Sequence, residues 1–146
     1  MNPTQRPCQY QLPQRLLRAR EAVMSYFRPV LSRHGLSEQQ WRVLRLLAEH
    51  GDMEAGDIAQ RAGIHPPSLS GILIRMERDG LVYRNRAQND NRRLIVSSSQ
   101  RAMTLTQSII PLSNDCYRRI EAHFPPAKLQ ALLALLDELE NLPAPS

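Results

Sequence analysis

The sequence has few of the residues and motifs on which disulfide-rich proteins, membrane proteins and most enzymes depend. Only two cysteines, Cys8 and Cys116, occur in 146 residues, and their separation fits no metal-binding motif. No apolar run reaches the roughly 18 residues that a membrane-spanning helix needs. The sequence contains no phosphate-binding loop and no motif of a catalytic nucleophile. We therefore predict a cytoplasmic protein that is not an enzyme, has no membrane segment and uses neither a cofactor nor a metal ion.

The first residues carry no recognisable targeting signal. Residues 1–13 contain three prolines and lack the apolar core of a signal peptide, so we interpret them as a loose N-terminal arm. Cys8 lies in this arm and has no neighbouring partner in the sequence. We interpret it as an ordinary free thiol, and an oxidant-sensing thiol is the alternative.

Lysine is nearly absent, although the chain is basic. Lys128 is the only lysine, and every other basic side chain except histidine is an arginine. The net charge of +5 is confined to residues 61–101, which hold eight arginines and three acidic residues, whereas the rest of the chain is neutral. The planar guanidinium group of arginine pairs well with phosphates and guanine edges. This concentration of charge favours a nucleic acid as the partner, with a solvated charged surface as the alternative.

Apolar residues recur at helical spacing over most of the chain. Ser37 and Gln40 have the spacing of a capping box at the start of a helix. Pro29 and Pro111 lie inside two other helical patterns, where each predicts a kink or a local break. The predicted helices cover residues 14–34, 38–49, 54–61, 66–79, 100–123 and 126–141.

Two short strands are predicted after the fourth of these helices. Residues 81–86 and 94–98 flank the polar, turn-forming stretch 87–91, which is the pattern of a β-hairpin. The order of helix, short helix, turn, helix and hairpin is that of a winged helix-turn-helix, with the hairpin as the wing. We therefore predict a fold that is mainly α with a small β-hairpin.

The whole chain, residues 1–146, is predicted to form one domain around a DNA-binding lobe at residues 37–98. The flanking helices, within 12–36 and 100–142, carry apolar stripes beyond what a lone winged helix needs to cover. We expect these helices to form a homodimer. Two such modules would meet two half-sites of DNA one helical turn, ~34 Å, apart.

The helix at residues 66–79 is the predicted recognition helix, whose first residues contact base edges in the major groove. Short hydroxyl side chains suit bases, and an arginine suits phosphates. An arginine on the wing can reach a narrow minor groove, and Asp90 is expected to hold a wing arginine in a bidentate pair. The predicted DNA contacts are Pro66, Ser68, Ser70, Arg75, Arg86, Asp90, Arg92 and Arg93.

Two segments of the sequence resemble the MarR family of bacterial regulators. One is the run LSGILIRMERDGLVYR at residues 69–84, and the other is the Asp-x-Arg of the wing, Asp90-Asn91-Arg92. Residues 19–49 are similar to one branch of this family, the regulators of homoprotocatechuate (4-hydroxyphenylacetate) catabolic operons. The chain departs from the family at Ser98-Ser99, where Leu-Thr is usual, and at Ala102, where glycine is frequent. Ser99 can still cap the next helix, so the departures concern local packing and not the fold.

The resemblance implies an obligate homodimer on a palindromic double-stranded operator, with repression relieved by a small phenolic or aromatic acid. Arg20 falls between Phe27 and Leu31 on the apolar stripe of the first helix, and a buried or half-buried arginine there would need an anion. The alternative for Arg20 is a salt bridge across the dimer interface, and the alternative for Trp41 is a place in the core. The predicted effector-binding residues are Arg15, Arg20, Met24, Ser25 and Trp41.

A different function remains open at this point. A DNA-binding architectural protein, or a redox-sensing regulator, would share the winged helix and lack an aromatic effector. The four scattered histidines, His34, His50, His65 and His123, have no ligand spacing, so we assign no metal to them.

Overall fold

Helices make up most of the structure, a computed structural model that describes residues 11–146. The elements in chain order are α1 (Leu12–Arg33), α2 (Glu38–His50), β1 (Met53–Glu54), α3 (Ala55–Ala62), α4 (Pro66–Arg78), β2 (Val82–Ala87), β3 (Asp90–Ser98), α5 (Gln100–Glu121) and α6 (Pro126–Glu140). The predicted fold class is confirmed. Cys8 and most of the predicted N-terminal arm lie outside the described residues. Within residues 11–146, no helix has both the length and the apolar character needed to cross a membrane.

Local signals in the sequence account for the ends of several helices. The capping box before α2 is confirmed, because Gln40 N–H donates to Ser37 Oγ at 3.1 Å and Ser37 N–H donates to Gln40 Oε1 at 3.0 Å. Of the kink or local break predicted at Pro29 and Pro111, the break does not occur, since α1 and α5 run through these prolines. A proline removes one backbone hydrogen bond, and the turns on either side keep theirs.

The chain folds into two compact units, and the larger unit comprises residues 28–112. Its core is built from the apolar faces of the short helices and the sheet. Each helix contributes residues at the predicted spacing, so that one stripe is buried and the opposite side is exposed. The largest fully buried side chains of this unit are Val43, Leu44, Ile58, Leu73, Met76, Val82, Val96 and Ile109.

The sheet of this unit is antiparallel, in the order β1-β3-β2. Strand β3 begins at Asp90, earlier than the predicted start at residue 94, and the pairing shifts register between Arg86 and Ala87. The turn between the two hairpin strands is therefore shorter than the polar pattern indicated. Strand β1, paired through Met53 with Val96, was not predicted, because a two-residue strand carries no alternating pattern.

The turn between α3 and α4 depends on glycine and arginine. Gly63 has φ of 64°, a left-handed conformation that favours glycine, and it ends α3. The Arg42 guanidinium donates to the carbonyl of Ala62 at that helix end. Pro66 occupies the first turn of α4, where a missing N–H has no cost. These contacts fix the helix-turn-helix from both sides of the turn.

A second set of contacts lies at the C-terminal end of α4 and at the start of α5. Gly80 has φ of 75°, and the Arg101 guanidinium donates to the carbonyl of Asp79. The Ser99 hydroxyl donates to the Gly80 carbonyl at 2.7 Å and accepts from Ala102 N–H at 3.1 Å. Ser99 therefore does cap the start of α5, as predicted.

The smaller unit contains the described residues 11–27 together with residues 113–146. Phe27 and Tyr117 meet edge to face with ring centroids 5.0 Å apart, and the Arg119 guanidinium lies 5.4 Å from the Tyr26 ring centre. The buried Cys116 thiol donates to the Tyr26 carbonyl at 3.1 Å. Burial raises the pKa of the Cys116 thiol, so it stays protonated near neutral pH.

Helix α6 contains no buried residue in the single chain, although most of its positions are apolar. Its leucines are exposed or half-buried, and Leu133 is 56% exposed. Helix α1 adds Leu17 at 60% exposure. Monomeric proteins rarely leave this much apolar surface to solvent, so these faces mark a protein interface.

Candidate nucleic-acid interface and effector residues

Helix α4 has one buried face and one polar exposed face. Leu69, Ile72, Leu73 and Met76 are buried, and they hold the helix against the core of the larger unit. All four residues predicted to contact DNA from this helix lie on the exposed side: Pro66, Ser68, Ser70 and Arg75. The exposed side also carries Ile74, which was not among the predicted contacts.

On the wing, Asp90 binds Arg92 through only one of its two carboxylate oxygens. Asp90 Oδ1 accepts from the Arg92 backbone N–H at 3.0 Å and from Arg92 Nε at 3.4 Å. The expected bidentate pair was therefore wrong in its geometry, because one of the two donors is the backbone. The Arg92 side chain is still 94% exposed, so the contact orients it without removing it from solvent.

The other two wing arginines that were predicted to contact DNA, Arg86 and Arg93, differ from each other. Arg93 Nε lies 3.3 Å from Glu54 Oε2, so this arginine links β3 to the carboxylate of strand β1. Arg86 is exposed on β2, next to the register shift of the hairpin. Arg92 and Arg93 are thus both paired with acids, so part of the concentrated positive charge serves to hold the wing together.

Glu77 and Arg84 join the end of α4 to the start of the wing. Arg84 N–H donates to Glu77 Oε2 at 2.9 Å, and Arg84 Nη2 donates to Glu77 Oε1 at 3.1 Å. The bonds from Arg84 hold the pKa of the Glu77 carboxyl below its usual value of 4.5. This two-point contact, which we call the Glu77–Arg84 clamp, fixes the base of the wing against the recognition helix. The sequence did not predict this clamp, because a seven-residue separation across a turn has no pattern of its own.

The clamp predicts a pH-dependent stability difference. Because the folded-state pKa of Glu77 is depressed, its charge stabilises the fold above the unfolded-state pKa, and this contribution is lost as the pH falls through the folded-state pKa. We expect Glu77→Gln to lower Tm at pH 7, and the difference from the wild type to shrink below pH 4.5. Thermal unfolding by circular dichroism at several pH values measures this. Glu138→Gln, at an exposed site of α6, is the control. A Tm difference that stays constant down to the lowest pH would contradict the clamp's charge dependence.

The predicted effector residues of α1 lie in the smaller unit. Arg15 and Ser25 are exposed and Met24 is half-buried. The Arg20 side chain is 42% exposed in the single chain, and its Nη1 lies 3.9 Å from Glu21 Oε1. Arg20 is therefore only partly buried in the single chain, because the first part of the apolar stripe of α1, with Leu16 39% and Val23 41% exposed, is not covered by the chain itself. Whether an anion binds Arg20 stays a prediction.

Trp41 lies in the larger unit and is 8% exposed, which confirms its place in the core. The Arg45 guanidinium lies 5.9 Å from the centre of the Trp41 ring. Arg45 was not selected from the sequence, although it lies one helical turn after Trp41 and shares its side of α2. This pair offers a cation and an aromatic surface at one place on the helix.

The larger unit also has two open polar clefts. One, of about 350 Å³, is lined by residues that include His34, Gln40 and Arg101. The other, of about 310 Å³, is lined by residues that include His50 and Arg61. Neither cleft contains a residue predicted to bind the effector. Among the residues that the structure describes, no group of three or more His, Cys, Asp or Glu side chains could hold a metal ion.

Comparison with known proteins places this geometry in a family. The family model named MarR matches residues 36–94, which include α2, α3, α4 and the hairpin up to Leu94. The homoprotocatechuate degradative operon repressor of Escherichia coli is 51% identical over 123 residues, covering 84% of this chain and 83% of that protein.

Two solved structures have the same fold at substantial identity. The transcriptional regulator PA4135 superposes with a TM-score of 0.86 at 44% identity, covering 91% of this chain and 98% of the other. NadR in complex with 4-hydroxyphenylacetate superposes with a TM-score of 0.77 at 40% identity, covering 88% of this chain and 91% of the other. The chain belongs to the MarR family of transcriptional regulators.

Proposed function

We propose that this protein is a repressor that binds a palindromic operator as a homodimer and releases it when an aromatic carboxylate binds. The observation that carries the DNA-binding part is the exposed face of α4 beside a wing whose Arg92 is oriented by Asp90. The hydroxyls of Ser68 and Ser70 suit base edges, and Arg75 and Arg92 suit the phosphates. The regulated genes would encode the breakdown of an aromatic acid, as the name of the Escherichia coli relative says of its operon.

The effector part of the proposal follows from a relative and from α1. A 40% identical structure holds 4-hydroxyphenylacetate, which is an aromatic ring with a carboxylate. We propose that Arg20 binds the carboxylate of such a ligand, with Arg15 as a second cation. Met24 and Ser25 would contact the ligand from the same helix. That Trp41 contacts the aromatic ring of the ligand stays a prediction from the sequence. An arginine fork suits a carboxylate, because it donates two parallel hydrogen bonds.

We further propose that the protein acts in the cytoplasm and performs no catalysis. The rival function is a redox-sensing or architectural DNA-binding protein without an aromatic effector. Cys116 is a poor oxidant sensor, because burial raises the pKa of its thiol and the thiolate is the reactive form. Cys8 lies outside the described residues.

Arg92→Ala tests the DNA-binding proposal. The probe is a duplex selected by the full-length protein from a random library, which we call the selected duplex. The substitution removes one phosphate-directed cation from each protomer, so we expect weaker binding. We also expect the slope of log K against the logarithm of the salt concentration to decrease in magnitude by about two. Fluorescence anisotropy at several salt concentrations measures both.

Arg118→Ala is the matched control for Arg92→Ala, because Arg118 is also an exposed arginine paired with an aspartate, Asp115, but lies in the smaller unit. We expect it to leave the salt dependence unchanged. If Arg92→Ala binds the selected duplex with the wild-type affinity and salt dependence, the wing does not contact DNA.

A further inference from the structure

An isoleucine lies on the exposed face of the recognition helix. Ile74 is 51% exposed, although the helix has a buried face on which four apolar residues pack. An isoleucine on the buried face would stabilise the fold by packing in the core. The exposed side chain at position 74 contributes little to the stability of its own chain. Its neighbour Leu73 is 1% exposed, so the two side chains point to different sides of α4.

The helical geometry places Ile74 among the proposed base contacts. Successive residues of a helix are 100° apart, so Ser70 and Ile74, four residues apart, lie on one side one turn from each other. Pro67 and Arg78 are exposed on the same side of α4. Ile74 therefore lies near the centre of the face that the proposed function places against DNA. An α-helix fits the major groove closely, so a side chain at the centre of that face is well placed to meet base edges.

We propose that Ile74 is a specificity-determining residue that contacts the 5-methyl group of a thymine in the major groove. The proposal rests on the proposed function, because it assumes that α4 binds operator DNA. The thymine methyl is the apolar group on the major-groove edge of a standard base pair, and cytosine has only a hydrogen at that position. Contact between this methyl and the isoleucine side chain removes apolar surface from water. The hydroxyls and guanidinium groups of α4 cannot supply such a contact.

Replacing thymine by deoxyuridine tests the contact, since uracil differs from thymine only by this methyl group. The full-length protein first selects a duplex from a random library. Each thymine of one half-site is then replaced in turn by deoxyuridine, and the dissociation constant is measured for each duplex. We expect the wild type to bind about fourfold more weakly at one position, the factor that corresponds to burying one methyl-sized group. Ile74→Ala should bind the thymine and deoxyuridine duplexes of that position equally.

Met103→Ala is the matched control, because Met103 is a comparably exposed apolar residue, 43% exposed, on another helix of the same unit. It should keep the fourfold difference. A wild type with no deoxyuridine-sensitive position, or an Ile74→Ala variant that keeps the sensitivity, would overturn the proposal. So would a change of oligomeric state in Ile74→Ala, because the isoleucine would then be a protein contact. A library selection that enriches no sequence would instead overturn the proposed function, and this inference with it.

Discussion

Leu132→Asp should convert the homodimer into monomers and abolish specific binding to the selected duplex. Leu132 is 39% exposed in the single chain and lies on one side of α6 with Leu129, Leu136 and Leu139, which together form a leucine stripe. A dimer that buries this stripe would bury two unpaired aspartates, at about 3 kcal/mol each. That penalty corresponds to about four orders of magnitude in the dimer dissociation constant. Because Leu132 is exposed before assembly, the fold of each chain should survive.

The measurement is light scattering at micromolar concentration, together with anisotropy on the selected duplex. Ala134→Asp is the control, because it adds the same charge to α6 at an exposed position on the opposite side of the stripe. We expect this control to remain dimeric. A Leu132→Asp protein that is still dimeric would show that the α6 stripe is not the interface, and α1, with Leu17 exposed, would be the next candidate.

Loss of the dimer should remove specific DNA binding because affinity depends on two half-sites. In the proposed complex, one recognition helix and one wing contact one half-site, and binding of the second half-site by the other protomer is then intramolecular. A monomer would retain the proposed contacts of Ser70 and Arg92 and lose the gain in affinity from this linkage. The expected result is weak, strongly salt-dependent binding that differs little between the selected duplex and an unrelated one.

Strong local patterns in the sequence predicted the fold well. The Ser37 capping box, the cap at Ser99 and the buried stripe of α4 follow from chemistry within a few residues, and the structure contains all three. Strand β1 and the early start of β3 were missed. Both depend on pairing with a distant strand, Met53 with Val96 for instance, and such pairing leaves no local periodicity.

The candidate sites were less predictable, because they depend on what each charge meets after folding. Arg84 and Arg101 belong to the basic segment, yet they hold Glu77 and the carbonyl of Asp79. Charge counting treats them as DNA contacts, whereas their donors are used to position α4 and the wing. For Arg20 the sequence left the degree of burial open, because helical periodicity cannot distinguish an apolar stripe that faces the chain's own core from one left exposed.

Arg20→Ala should keep operator binding and lose the response to an aromatic carboxylate. For the wild type, we expect 4-hydroxyphenylacetate or homoprotocatechuate to weaken binding to the selected duplex by about 5- to 150-fold, the usual range of allosteric coupling. A ligand can do this only by binding more tightly to the conformation that does not fit DNA. Removing a charge-assisted hydrogen bond to the carboxylate should raise the effector concentration for half release by about 10-fold or more.

Two other substitutions on α1 sharpen this test. Arg20→Lys should restore part of the response, since lysine keeps the charge and loses the planar fork. Arg18→Ala removes an exposed arginine from the opposite side of α1 and should respond like the wild type. The readout is the release of a labelled duplex during titration with each acid, and benzyl alcohol, which has the ring without the carboxylate, should release nothing.

The outcomes separate three roles for Arg20. An Arg20→Ala dimer that is released at the wild-type effector concentration would remove Arg20 as the anchor. If Arg45→Ala is the variant that loses the response, the carboxylate binds on α2, where Arg45 lies 5.9 Å from the centre of the Trp41 ring. If Arg20→Ala becomes monomeric, Arg20 forms a salt bridge across the dimer interface, which is the alternative that its partly exposed position on α1 leaves open. If both arginine variants respond normally and no acid stabilises the wild type thermally, the protein has no aromatic effector, because a ligand that binds the native state must raise Tm.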